Sequence, residues 1–208
     1  MHLPVDHLIY AAPDLAEAID RLDRRLGVRP AVGGRHPAWG THNAILSLGP
    51  RMYLELLAPD PEADEPTAPR PLGLDDLAAP RLVTWVAAGT DLERLVSRAR
   101  LGGVDLGEAE GRSRQRPDGT TLSWMMTDLS KPRADGLVPF FIDWEDSPHP
   151  GADAPGGCHL IDLRAEHPHP VEIRRQLDAL GLPLPVVRGP APRLIATLAT
   201  PRGTVELA

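Results

Sequence analysis

At 208 residues the chain has room for one large domain or two small ones, and either can bury a substantial core. Its 42% apolar and 25% charged residues are those of a globular protein. The single cysteine, Cys158, excludes a disulfide framework and a cysteine-rich zinc site, and no apolar run approaches the ~20 residues of a membrane span. A net charge of −7 with scattered arginines argues against a nucleic-acid binder, and the absence of a basic region ahead of an apolar N-terminal stretch makes the cytoplasm the expected compartment.

Asp6-His7-Leu8-Ile9-Tyr10 is a short apolar run of strand type. Leu15, Ile19, Leu22 and Leu26 then follow at helical spacing, with Asp14 placed to cap the helix and Gly27 to end it. Pro30 to Val32, Asn43 to Leu48 and Met52 to Leu57 read as three further strands, the last two joined by a turn at Gly49-Pro50-Arg51. The acidic, proline-rich stretch from Asp60 to Pro71 is a linker. Beyond it the same order returns less tidily, with a strand at Leu82 to Val86 and a helix capped by Asp91 and stopped at Gly102-Gly103. Strands at Thr121 to Thr127 and Leu137 to Asp143 complete that unit, the first fed by the polar hairpin Arg116 to Gly119. After a second linker, Ser147 to Gly157, the order appears a third time: Cys158 to Leu163, a helix with Ile173, Leu177 and Leu180, and strands at Leu184 to Val187, Leu194 to Leu198 and Thr204 to Leu207. His7 and His159 hold equivalent places, as do Glu55 and Glu206, at separations of 48 and 47 residues. The expected fold is therefore α+β, built from three β-α-β-β-β modules at 3–58, 80–146 and 157–208.

Asp-His-Leu-Ile-Tyr at the first strand, Arg-His-Pro-Ala-Trp-Gly-Thr-His-Asn at 35–43, Tyr53-Leu54-Glu55-Leu56 and Pro139 to Trp144 together resemble the glyoxalase-like branch of the vicinal oxygen chelate superfamily, over roughly the first 150 residues. The resemblance implies that two modules pair their curled sheets into a half-open barrel, here residues 1–150. A divalent metal (Zn, Fe, Mn or Ni) would sit inside on first- and last-strand side chains and chelate a small oxygen-bearing substrate. The superfamily includes isomerases, lyases and dioxygenases, and also members that bind compounds without transforming them. Carried over by position, His7 and Glu55 are the metal ligands of the first module; an imidazole and a carboxylate suit those ions. Aligning Asp14 with Asp91 puts Thr84 in the histidine position of the second module, and its last strand offers Phe141 or Asp143 according to register. An inward Asp143 completes a three-ligand set; an inward Phe141 leaves two ligands.

Module three offers a competing set of His7, Glu55, His159 and Glu206, should it pair with module one. Otherwise it covers an edge of the barrel or pairs with its copy in a homodimer. His42 with Asn43 reads as an acid–base group, and His36 as a group that grips substrate oxygen, or else both histidines face solvent around a Gly40-Thr41 turn. Phe141 and Trp144 line a ligand pocket or pack in the core. His149, His167 and His169, among prolines, are expected at the surface, and Cys158 is expected to be inert. Two functions remain open: a metal-dependent enzyme of isomerase, lyase or dioxygenase type, and a non-catalytic protein that sequesters a small molecule.

Overall fold

The computed structural model describes residues 4–64, 68–115, 119–130 and 133–208. Strand β1 (Val5–Ala11) leads into α1 (Leu15–Leu26), followed by β2 (Ala31–His36), β3 (Thr41–Gly49) and β4 (Met52–Pro59). The second unit is β5 (Arg81–Ala88), α2 (Leu92–Leu101), β6 (Ala109–Gln115), β7 (Thr121–Thr127) and β8 (Phe140–Asp143). The third is β9 (His159–His167), α3 (Pro170–Ala179), β10 (Val186–Arg188), β11 (Arg193–Thr200) and β12 (Gly203–Leu207). Among the described residues no helix is long and apolar enough to cross a membrane.

Helix α1 begins and ends where its sequence dictates. Asp14 Oδ accepts from the Glu17 N–H at 2.8 Å, and Gly27, at φ 76°, donates its N–H to the Asp23 carbonyl. Asp91 caps α2 in the same way, through the Arg94 N–H.

The first two units form one curled eight-stranded sheet in the order β2-β3-β4-β1-β5-β8-β7-β6. Each unit closes by pairing its first strand in parallel with its last, β1 with β4 and β5 with β8, and the two halves join through antiparallel β1 and β5. The third unit repeats the element order but not this pairing. Its four-stranded sheet runs β10-β9-β11-β12, so β9 lies between the second and third strands of its unit and never meets the fourth. It is not a third copy of the module, because a module is defined by which strands share hydrogen bonds and not by the order of elements along the chain.

Strand alternation divides the buried side chains of the large sheet into two cores. Leu8, Tyr10, Leu54, Leu56, Trp85 and Phe141 face the three helices and the four-stranded sheet in one continuous cluster. Ile9, Tyr53, Leu57, Val86, Trp124, Phe140, Ile142 and Trp144 face the opposite, concave side. Trp85 is fully buried on the helical side, and its indole N–H donates to the Leu137 carbonyl at 2.9 Å, so its polar edge is satisfied there.

Several strands differ from their sequence expectation. β2 extends to His36, and β8 starts at Phe140 because Leu137, in αR conformation, closes the turn at Ala134–Gly136 and Val138 bridges back to Arg133. β6 has no counterpart in the expected elements. Its sequence, Ala-Glu-Gly-Arg-Ser-Arg-Gln, lacks apolar alternation, and it is a strand because β7 pairs with it along its whole length.

Candidate functional site

The concave side of the large sheet carries a polar floor within apolar walls. A register shift between Val5 and His7 bulges β1 against β5, so that adjacent Asp6 and His7 reach the same polar cluster. His7 Nδ1–H donates to Asp6 Oδ1 at 2.7 Å, and both side chains are buried. Asp6 also accepts from the Trp144 indole N–H at 3.1 Å and from His149 Nε2–H at 3.3 Å. The His149 tautomer follows from its other nitrogen, since Nδ1 accepts the Gly151 N–H at 3.1 Å. Burial alone would push the Asp6 carboxyl up, but hydrogen bonds from His149 and His7, reinforced by their charge, hold it well below the usual aspartate range.

With Nδ1–H committed to Asp6, His7 presents Nε2 to the cavity, where Glu55 Oε2 lies 3.6 Å away. Glu55 is on β4, two residues from Tyr53, whose Cα is the register partner of His7. The Tyr53 ring stacks on the imidazole at 4.4 Å between centroids and 14° between planes. Burial pushes the Tyr53 phenol far up, so it is a neutral wall. On β3, Asn43 Nδ2 donates to Glu55 Oε1 at 2.5 Å, and Asn43 Oδ1 is buried with no hydrogen-bond partner among the described residues. A Cβ at Gly33 would lie 2.3 Å from that oxygen. Gly33→Ala is therefore expected to dislodge Asn43 from Glu55 and to cost roughly 1–3 kcal/mol in urea unfolding, the usual penalty of overpacking. A variant as stable as the parent would show that Asn43 has another place to go.

Two of the residues expected to meet His7 and Glu55 do not. β8 turns Phe140 and Ile142 inward, which sends Phe141 into the helical core and Asp143 to the other face, where its Oδ1 accepts the Glu145 N–H. Thr84 spends its hydroxyl on the Gly136 carbonyl at 2.8 Å, and the inward neighbour on β5 is Val86. His42 alternates with Asn43 and lies on the opposite face of β3, with its pKa lowered by burial. His159 and Glu206 are exposed on the four-stranded sheet, and Glu206 pairs with Arg164 at 2.7 Å, so the competing four-ligand set is not assembled. His36 and Trp144 do line the cavity; His36 Nδ1 lies 3.1 Å from Thr41 Oγ1, and burial pushes its pKa down.

Two histidines expected at the surface are buried: His149 in the Asp6 cluster, and His167 against Asp135 at 3.1 Å. His169 is exposed. Cys158 is buried and its thiol is pushed up by burial, as an inert cysteine should be. The residues that sequence reasoning missed are Asp6, His149 and Arg114. Asp6 and Arg114 stand out only as charges that no strand can bury without a partner, and His149 hides in a linker.

The cavity at this floor has a volume of about 60 Å³ and is walled by Ile9, Leu57, Trp124, Met126, Phe140 and Ile142. Trp39, Pro71, Met126 and Leu129 line both it and an outer cleft of about 620 Å³, which carries Arg35, Arg112, Glu62 and Asp64. The inner space admits only a small head group, and any larger body of a ligand belongs in the outer cleft.

This curled sheet of two paired modules with a polar cluster inside defines a glyoxalase-like protein. A glyoxalase-like domain model matches residues 5–181, and the chain belongs to that family, within the vicinal oxygen chelate superfamily. No curated protein sequence matches it. Among solved structures, a hypothetical protein from Staphylococcus aureus shares the fold over 99% of this chain and 84% of its own, at 14% identity and a TM-score of 0.64. Methylmalonyl-CoA epimerase from Mycobacterium tuberculosis is similar over 67% of this chain and 86% of its own, at 19% identity and a TM-score of 0.43. A methylmalonyl-CoA epimerase in complex with methylmalonyl-CoA and NH4+ is similar over 72% of this chain and 100% of its own, at 16% identity and a TM-score of 0.48.

Proposed function

We propose that the chain takes a small oxygen-bearing compound into the half-barrel and moves a proton on it through His7, with no resident metal. Members of the superfamily often use a divalent metal, which when bound polarises a substrate oxygen. The donor set here does not fit one. Among the described residues His7 Nε2 and Glu55 are the two donors that meet, 3.6 Å apart; His36 and Asn43 line the same cavity but sit against Thr41 and Glu55, and the facing half of the sheet offers Val86, Phe140 and Ile142. Among the described residues no group of three or more His, Cys, Asp or Glu is arranged to hold a metal ion. Two protein ligands fall short of the three that catalytic zinc sites keep.

The line Asp6–His7–Glu55 carries the proposal. Asp6 fixes the ring and stabilises the imidazolium that forms when Nε2 takes a proton, the arrangement that makes histidine an effective base. A C–H made acidic by a neighbouring carbonyl gives its proton to His7 Nε2 and receives one back from the same atom, so no bond to a heavy atom is broken and no oxidant is needed. Asn43 holds Glu55 in place beside the reacting position, and the apolar walls keep bulk water away.

Two measurements test this. Protein purified without chelator is expected to hold far less than one metal ion per chain and to keep its melting temperature in EDTA; stoichiometric metal would overturn the metal-free reading. Small carbonyl compounds, neutral and acidic, incubated in D2O are expected to exchange their α-protons faster with the wild-type protein, and His7→Ala should lose most of the roughly 10²–10⁴-fold that general base catalysis supplies. A second reading, sequestration without chemistry, is favoured by the apolar walls. Binding accompanied by exchange no faster than in His7→Ala would establish it.

A further inference from the structure

We infer that Arg114 is an anion anchor and that the compound entering the cavity carries a carboxylate. The inference deepens the proposed function and depends on it only for placing the ligand in this cavity. Arg114 lies on β6, the polar strand at one end of the eight-stranded sheet, and is 9% exposed. β2 is the strand at the other end, and Arg114 Nη1 donates to the Gly33 carbonyl of β2 at 3.1 Å, across the seam where the half-open barrel nearly closes.

That bond uses one of the five N–H donors of a guanidinium. Among the described residues no carboxylate lies within ion-pair distance of Arg114. The two arginines of the outer cleft each have an acid, Arg35 with Asp60 and Glu62 and Arg112 with Glu110, and Arg70 has Asp75. The two buried acids of the cavity are each hydrogen-bonded elsewhere, and neither lies at ion-pair distance from Arg114, although Glu55 shares the cavity with it. Asp6 accepts from His7, Trp144 and His149, and Glu55 accepts from Asn43 beside His7.

A buried guanidinium without a counter-charge costs stability, because desolvation is not repaid. Arginine also pairs with a carboxylate through two parallel hydrogen bonds, which gives direction as well as charge. Arg114 lines the same cavity as His7, Glu55 and Asn43, so an acid held there presents its neighbouring carbon to the polar floor. With about 60 Å³ available, a carboxylate and an adjacent carbon or two fill the inner space, and an apolar body extends past Trp39 and Met126 towards the outer cleft.

The test compares two isosteres that differ in charge, phenylacetate and phenylacetamide. Three of the four tryptophans, Trp39, Trp124 and Trp144, line the cavity, so intrinsic fluorescence reports occupancy. Wild-type protein is expected to bind the acid at least about tenfold more tightly than the amide, the scale of a charge-assisted pair. Arg114→Gln should lose that preference, whereas His7→Gln should keep it, which separates failure of the anchor from failure of the proton-transfer reading. In the absence of any ligand, Arg114→Met is expected to melt at a higher temperature than wild type, because it removes a buried charge that has no carboxylate at ion-pair distance. Equal affinity of wild type for acid and amide, no binding of either at millimolar concentration, or a preference surviving in Arg114→Gln would each overturn the inference. So would a fall in the melting temperature of ligand-free Arg114→Met, since a merely structural arginine loses stability when truncated.

Discussion

Replacing Asp6 with alanine is expected to be among the most damaging single changes in the half-barrel. Three N–H groups converge on this carboxylate, from His7, His149 and Trp144, and all of them are buried. Alanine leaves all three donors without their acceptor, and each buried donor left unsatisfied costs roughly 1–3 kcal/mol. Asp6→Asn is gentler, because its one carbonyl still accepts, but its amide points donors at donors. The sign of the pH dependence follows from the low pKa of Asp6 in the folded protein. A carboxyl that titrates lower when folded than when unfolded adds stability that is fully present above the ordinary aspartate range and is lost as pH falls through it towards the folded value. Urea unfolding of wild type should therefore weaken progressively below about pH 4, where an unfolded aspartate takes up its proton. Asp6→Asn should show a flatter acid limb. Parallel acid limbs in the two proteins would show that Asp6 is not held by these donors.

Gly136→Ala is expected to cost about 3 kcal/mol or more and to leave little soluble protein. Gly136 has φ 87°, where a Cβ is strained by roughly 1–3 kcal/mol. The added carbon would also lie 1.9 Å from the Val83 carbonyl oxygen, and a backbone atom cannot rotate away. The carbonyl of Gly136 holds the Thr84 hydroxyl, so any shift is passed to β5 at the centre of the large sheet. Gly103→Ala is the control, since φ there is 78° and a Cβ would meet nothing within 4 Å. It carries the dihedral cost alone. Equal melting temperatures for the two alanine variants would mean that the turn at 134–136 yields readily.

The helices and most strands were legible because their signals are local. Apolar spacing with Asp14 and Gly27 marks α1 without reference to anything distant, and alternation marks β1, β3 and β4. His7 and Glu55 were legible as a pair through the family resemblance, and Glu55 also as a carboxylate between Leu54 and Leu56 on an apolar strand. Their companions were not. Asp143 and Phe141 were both candidates for an inward position, and the register of β8 places neither there, since Phe140 and Ile142 take the inward side. A shift of one residue exchanges the two faces of a strand, and no feature of the local sequence decides it.

By itself, then, the sequence determined most elements of the first two units with their caps and turns, and through its family resemblance pointed to the first polar pair of the site. Tertiary structure alone decided that the third unit pairs its strands differently, that the polar segment at 109–115 is a strand, and that Asp6, His149 and Arg114 converge on the cavity. The physical reason is range. Helix caps and side-chain periodicity act between residues a few positions apart, whereas the contacts that define the site join residues 143 and 81 positions apart along the chain, and their geometry exists only once the sheet has curled.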